Sequence, residues 1–223
     1  MKELEILFEN GDFIIINKPA GLITEVNPFE PVNVESLVLD YISKSKRKAF
    51  VGVVHRLDRV TSGVMVFAKK KSILKQINAS FEHKQVQKNY WTIVGQKPPE
   101  ASGTLKHFLI KDQQNKRAEI FPTKRKDSKP CSLRYKIIDQ KDGFYLLEVS
   151  PEGGKYHQIR AQLSFIGCPI IGDEKYGSKK KYKPLSICLH ARTLSFPDPL
   201  NPQNKLSYTA DHPIDTPWNL FKV

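Results

Sequence analysis

Short β-type segments separated by turn residues dominate the folding signal of this chain. They are apolar runs or alternations that are rich in β-branched and aromatic residues, and they cover 13–17, 88–94, 104–110, 118–121, 133–138, 145–149, 185–196 and 205–209. Asp142-Gly143 between two of them predicts a tight hairpin turn. Many strands and few helices predict an α+β fold around a mainly antiparallel sheet.

Three segments have helical spacing instead. Residues 34–42 place apolar side chains on one face, and Ser72 is predicted to cap a helix with its apolar face at Ile73, Leu74, Ile77 and Phe81. Residues 157–166 form the third, with Gly167 as the stop signal. We therefore expect helices to flank the sheet.

The chain is strongly basic, with 36 Lys and Arg against 23 Asp and Glu, a formal charge of +13 and a pI of about 9.6. Such an excess favours nucleic acid or another polyanion as partner. Basic clusters lie at 44–48, 69–71, 124–126 and 179–183. The longest apolar runs are too short to cross a bilayer, and the N-terminus lacks a signal-peptide core. We expect a cytoplasmic protein with no membrane partner.

Cysteine and histidine spacing gives no metal or disulfide signal. Cys131, Cys168 and Cys188 form no CxxC pair, and the histidines form no HxH or HExxH pattern. We expect reduced, mostly buried thiols. For His55 and His157 we expect buried, hydrogen-bonded rings rather than metal ligands.

The segment from His55 to Gly63 contains the strongest candidate for a catalytic residue. Asp58 stands between Arg56 and Arg59 and just before Thr-Ser-Gly, with apolar strand-like residues at 50–54 and 64–68 on either side. A carboxylate presented by a loop beside two cations, in a basic chain, predicts catalysis on a polyanion.

Six elements in order resemble the RluA-type pseudouridine synthases. They are Lys18 to Gly21, His55 to Asp58 with Thr61 to Gly63, Lys88 to Tyr90, Gly154 to Arg160, Gly172-Asp173 with Tyr176-Gly177, and Leu189 to Ala191. The resemblance runs from about Phe13 to Ala210. Two departures are Tyr156, where relatives often have a small residue, and Pro197-Asp198-Pro199 in place of a His-Pro.

The resemblance implies a pseudouridine synthase fold, in which a mainly antiparallel mixed sheet forms two halves with a central catalytic cleft. It implies one catalytic domain over 1–223 without an S4 RNA-binding domain. The expected activity is isomerisation of specific uridines in structured ribosomal or transfer RNA by a monomer. The reaction involves no redox change and no net hydrolysis, so we expect no cofactor and no metal.

The resemblance also assigns roles to individual residues. Asp58 attacks C1′ or removes the 2′ proton, two routes that the sequence leaves open. Arg160 forms a salt bridge with Asp58, and Tyr90 stacks on the target base and is placed to take the C5 proton. Ile159 packs under that ring, and Arg56 fills the gap left by the flipped nucleotide. Asp173 is expected to be a turn or structural acid.

Two alternatives remain at this point. The first is a non-catalytic RNA-binding or RNA-folding module of the same fold, which would not need Asp58, Tyr90 and Arg160 together. The second is an aspartate-nucleophile enzyme acting on a small nucleoside or glycoside. Most such enzymes use two carboxylates, and no partner acid is evident near Asp58.

Overall fold

A computed structural model describes residues 4–44 and 48–222 of the chain. In chain order the elements are β1 (Glu5–Glu9), β2 (Phe13–Lys18), α1 (Val34–Ser43), β3 (Gly52–Val53), β4 (Ser62–Ala68), α2 (Lys71–Glu82), β5 (Gln87–Val94), β6 (Ser102–Asp112), β7 (Arg117–Phe121), β8 (Lys129–Lys141), β9 (Phe144–Glu152), α3 (Gln158–Phe165), β10 (Leu189–Pro197) and β11 (Lys205–Thr209). One-turn 3-10 helices occur at Glu174–Tyr176 and Trp218–Leu220. This mixture confirms the predicted α+β class.

The internal contacts of the chain define two compact units. The first unit comprises residues 1–88 and 191–211, and the second comprises residues 89–190 and 212–223. The assignment of a single domain to 1–223 stays a prediction.

The first unit is built on the strand order β1-β2-β4-β10, with β3 paired to β4 and β11 paired to β10. β2 and β4 are antiparallel, with Phe13 opposite Ala68 and Lys18 opposite Gly63. Residues 14–16 and 65–67 are completely buried. A strand that is covered on both faces needs apolar residues without alternation, which explains the continuous apolar runs seen in the sequence.

The second unit has the strand order β5-β9-β8-β6-β7, and its strand pairs are antiparallel. β8 and β9 meet through Asp142-Gly143, both with positive φ (52° and 74°), which confirms the predicted hairpin. α3 packs on β6, β7 and β9. The core beneath it consists of Leu109, Ala118, Cys131, Ala161 and Tyr176.

The helix predictions are confirmed except for one cap. α1 begins after Asn33, whose side chain accepts a 2.9 Å hydrogen bond from the Ser36 backbone N–H. α2 begins two residues before the predicted position, because Lys70 is its N-cap and Ser72 already lies in the first turn. Its apolar face is as predicted, with Ile73 and Ile77 buried.

Several strand boundaries were predicted wrongly, and β8 and β9 extend beyond their predicted ranges. The segment at 185–196 is a strand only from Leu189, because Leu185 adopts a positive φ of 54° in the preceding turn. Of residues 50–54, only Gly52 and Val53 pair with β4. β1 was not predicted, because its mixture of acids and apolar residues shows no clear strand pattern.

The three cysteines are free and buried, as expected. Burial raises the pKa of the Cys188 thiol, and it does the same for Cys131 and Cys168. All three are therefore poor nucleophiles.

Across 4–44 and 48–222, no helix is long and apolar enough to cross a bilayer.

Candidate active-site residues

Asp58 lies in the loop between β3 and β4, and the backbone on both sides of it is fixed. The Thr24 hydroxyl donates to the Leu57 carbonyl (3.0 Å) and accepts from the Leu57 N–H (3.3 Å). On the other side, the Thr61 N–H donates to the carbonyl of Asp58 itself at 3.0 Å. The loop that carries the acid is thus shaped before any substrate binds, as a positioned catalytic group requires.

Lys18 holds the backbone of this loop through hydrogen bonds. Its side chain is completely buried, and its ammonium donates to the carbonyls of Pro19 (2.9 Å), Arg59 (3.3 Å) and Thr61 (2.8 Å). Three carbonyl oxygens offset the cost of desolvating a charged amine. Sequence analysis placed Lys18 within a family element but did not predict its burial, since an isolated lysine is normally exposed.

The two arginines that flank Asp58 form ion pairs within the first unit. Arg56 Nη1 lies 2.9 Å from Glu25 Oε2, and Arg59 Nη2 contacts Glu30 Oε1. Both glutamates belong to the segment between β2 and α1. This pairing was not predicted, because the acids and the arginines are far apart in sequence.

His55 and His157 are hydrogen-bonded, as predicted, although each keeps some exposed surface. His55 Nε2 accepts from the Val66 N–H (3.3 Å), and the ring stacks on Phe81. Desolvation, with a smaller effect from the Lys88 charge, lowers the pKa of His55 to about 3, so the imidazole is neutral near pH 7. His157 Nδ1 lies 2.9 Å from the Tyr176 hydroxyl, and its ring stacks on Tyr156.

Arg160 is held rigidly in the second unit. Its Nε and Nη2 bind Asp173 Oδ2 and Oδ1 at 2.7 and 2.8 Å, and its guanidinium carbon lies 5.0 Å from the centre of the Tyr176 ring. Arg160 is 5% exposed and Asp173 1%. A two-point fork and an aromatic face together fix both the position and the plane of the guanidinium.

Asp173 is therefore a structural acid, as predicted, but its partner was not foreseen. Its backbone carbonyl accepts from the N–H groups of Tyr176 and Ser178, which ties the 3-10 turn around it. The salt bridge between Arg160 and Asp58 stays a prediction.

Tyr90 and Ile159 also belong to the second unit. Tyr90 lies near the start of β5, opposite Val149 of β9, and is half-buried. Ile159 lies in the first turn of α3 and is 7% exposed. The stacking of Tyr90 on a base and the packing of Ile159 under it stay predictions.

The basic clusters differ in how far acids neutralise them. Lys69 is nearly buried and bound by Glu9, and Lys70 lies 2.7 Å from Asp12, so the 69–71 cluster is largely structural. In 179–183, Lys183 pairs with Asp215, whereas Lys180 lies over the Phe144 ring. Part of the 44–48 cluster, Lys46 and Arg47, lies outside the described residues.

In the part of the chain that the structure describes, no group of three His, Cys, Asp or Glu side chains could hold a metal.

Three comparisons relate this geometry to known proteins. A family model described as RNA pseudouridylate synthase matches residues 12–165. Ribosomal large subunit pseudouridine synthase C of Vibrio parahaemolyticus is 30% identical over 207 residues, which cover 89% of this chain and 64% of the relative. Ribosomal large subunit pseudouridine synthase D of Borreliella burgdorferi is 29% identical over 202 residues, covering 86% and 60%.

A solved structure shows the same fold. Human RNA Pseudouridylate Synthase Domain Containing 4 superposes with a TM-score of 0.78 at 23% identity, covering 94% of this chain and 88% of the human chain. The chain spans less than two thirds of the length of the two bacterial relatives.

Proposed function

Because the chain belongs to the RNA pseudouridylate synthase family, we propose that it isomerises specific uridines in structured RNA to pseudouridine. The observation that carries this proposal is the family match over 12–165, which includes Arg56, Asp58, Tyr90, Ile159 and Arg160. The rigid mounting of Asp58 and Arg160, each within its own unit, supports it.

The reaction breaks the N1–C1′ bond of uridine and forms a C5–C1′ bond, and a proton leaves C5 while N1 gains one. Asp58 is the proposed nucleophile at C1′ or the base at C2′, and both routes remain open. Thr24 and Lys18 hold the backbone of the loop that carries this carboxylate. Preorganisation of this kind lowers the barrier by fixing the reacting atoms near each other.

Arg160 is the proposed ionic partner of Asp58, and Tyr90 the residue that stacks on the target base and takes the C5 proton. The fork to Asp173 supports this assignment, since it uses Nε and Nη2 and so fixes the direction in which Nη1 points. Ile159 packs under the stacked ring. Arg56 fills the place of the flipped nucleotide in the duplex.

Large-subunit ribosomal RNA is the proposed substrate. The bacterial relatives carry that target in their names, and the formal charge of +13 suits a structured polyanion. We further propose that the enzyme acts as a cytoplasmic monomer, without a cofactor, because the isomerisation requires no redox partner.

The test compares Asp58→Asn with Asp40→Asn, a matched change of an exposed aspartate on α1. Each variant is expressed in cells that lack the gene, and pseudouridine is mapped in total RNA by chemical labelling. We expect a site that depends on the gene, that Asp40→Asn restores and that Asp58→Asn does not. With purified protein, the Asp58→Asn turnover should fall about 10⁴-fold or more while RNA binding persists.

Two outcomes would contradict the proposal. Isomerisation by Asp58→Asn at the wild-type rate would remove Asp58 from the mechanism. If wild-type protein binds RNA but no pseudouridine depends on the gene, a non-catalytic RNA-binding module of the same fold becomes the better description.

A further inference from the structure

The segment between β2 and α1 carries two carboxylates that contact the arginines beside Asp58. We call residues 25–32 the acidic loop, because Glu25 and Glu30 are its charged members. The loop has a defined fold: Phe29 N–H donates to Asn27 Oδ1 (2.9 Å) and Glu30 N–H donates to the Asn27 carbonyl (3.1 Å). Its two acids are thus presented from a folded turn.

The ion pairs themselves are exposed. Arg56 and Glu25 have side chains that are 71% and 46% exposed, and those of Arg59 and Glu30 are 32% and 38% exposed. Exposed pairs contribute little net stability because water solvates both charges well. RNA can therefore displace each glutamate from its arginine at small cost.

Apolar packing does not hold the acidic loop in place. Val26, Phe29 and Val32 are 66%, 89% and 57% exposed. One end of the loop is tied to α1 by a hydrogen bond from the Val26 N–H to Glu35 (3.1 Å). Contacts of this kind allow the loop to shift when its two ion pairs are exchanged.

We propose that Glu25 and Glu30 hold Arg56 and Arg59 until RNA displaces them, which frees Arg56 to enter the place of the flipped nucleotide and Arg59 to bind an RNA phosphate. Carboxylates and phosphates are both oxyanions that bind guanidinium by the same charge-assisted hydrogen bonds. Arg59, which directly follows Asp58, would then fix the RNA backbone beside the reacting nucleotide. The inference rests on the proposed function, since RNA is the occupant.

The test measures binding of large-subunit ribosomal RNA, purified from cells lacking the gene, to full-length protein across a salt series. The double variant Glu25→Gln/Glu30→Gln is compared with Glu82→Gln/Glu119→Gln, which removes the same charge from exposed positions on α2 and β7. We expect the loop variant to bind about three- to tenfold more tightly at low salt, and the control to stay within about twofold of wild type. The slope of log K against log salt should be steeper in the loop variant alone, because salt screens the competing ion pairs of the wild type and so removes the advantage of the variant at high salt.

A double-mutant cycle tests the site itself. Glu30→Gln should tighten RNA binding in the wild-type background and have no effect in an Arg59→Gln background, because it acts only through Arg59. Equal effects of Glu30→Gln in both backgrounds, or equal affinities of the loop and control double variants, would overturn the inference.

The wild-type protein distinguishes the two proposals. If it forms pseudouridine in this RNA while the loop variant behaves as the control does, displacement of the two glutamates by RNA is wrong and the proposed function stands. If wild-type protein neither binds nor modifies the RNA, both are overturned.

Discussion

Two arginine–aspartate ion pairs in this chain differ in how far water reaches them. The pair Arg160–Asp173 is bidentate, with both side chains at most 6% exposed. In Arg192–Asp211 the carboxylate is 93% exposed. A buried charge depends on its partner because no water can replace it, whereas an exposed carboxylate is solvated with or without the arginine.

This contrast gives a stability prediction at the scale of one residue. Asp173→Asn leaves the buried Arg160 charge without its fork, so the free energy of unfolding should fall by about 3–5 kcal/mol. Asp211→Asn, the matched change in the exposed pair, should leave it almost unchanged. Urea unfolding of both variants measures the difference, and equal losses would show that burial does not set the value of these pairs.

At the scale of elements, the loop of Asp58 depends on the strands that enclose it. β4 begins at Ser62 and runs beside β10, and Gly63 has a φ of +121°. A Cβ at this position would lie 2.7 Å from the Ala191 Cα and closer still to its backbone nitrogen and oxygen. Glycine is therefore required twice, for its backbone conformation and for the close approach of two strands.

Gly63→Ala should destabilise the first unit by about 3 kcal/mol or more, from strain and overpacking together. Gly143→Ala is the control, because Gly143 also has a positive φ (+74°) but its Cβ would meet no atom within 4 Å. We expect the control to lose about 1–2 kcal/mol from backbone strain alone. Thermal unfolding compares the two, and an equal shift in Tm would mean that the approach of Ala191 is not limiting.

At the scale of the whole molecule, the lysines that make the chain basic differ in whether an acidic side chain already neutralises them. Lys70 and Lys183 lie within 3.0 Å of Asp12 and Asp215. Lys179 and Lys181 are exposed, and within 4–44 and 48–222 neither forms an ion pair. RNA releases counterions when lysines bind its phosphates, and lysines that are already paired with acids are less available for such contacts.

Lys179→Gln/Lys181→Gln should therefore weaken RNA binding and flatten its dependence on salt by about 1–2 in the log–log slope. Lys70→Gln/Lys183→Gln changes the net charge equally but removes lysines that acids already neutralise. Its slope should stay close to wild type. Filter binding between low and moderate salt measures both, and identical slopes would contradict an RNA-facing role for the 179–183 cluster.

Local patterns were enough to predict most of the secondary structure, whereas the residues proposed for catalysis were assigned by the resemblance to a known family. Hydrophobic period and turn chemistry act over a few residues, so α1, α3 and the Asp142-Gly143 hairpin could be predicted from the chain. The motif around Asp58 is likewise contiguous. Where local signals were weak, the predictions failed: the helix start at Lys70 lacks a side-chain cap, and Leu185 adopts a positive φ that its residue type does not suggest.

The sequence by itself determined the fold class, the basic character and the acid proposed as the reacting group. Only the tertiary structure decided which charges meet: Arg160 with Asp173, Arg56 with Glu25, and the buried Lys18 with three carbonyl oxygens. The reason is physical. Periodicity and turn preference depend on neighbours along the chain, whereas burial and charge pairing depend on distances that exist only after distant segments have packed together.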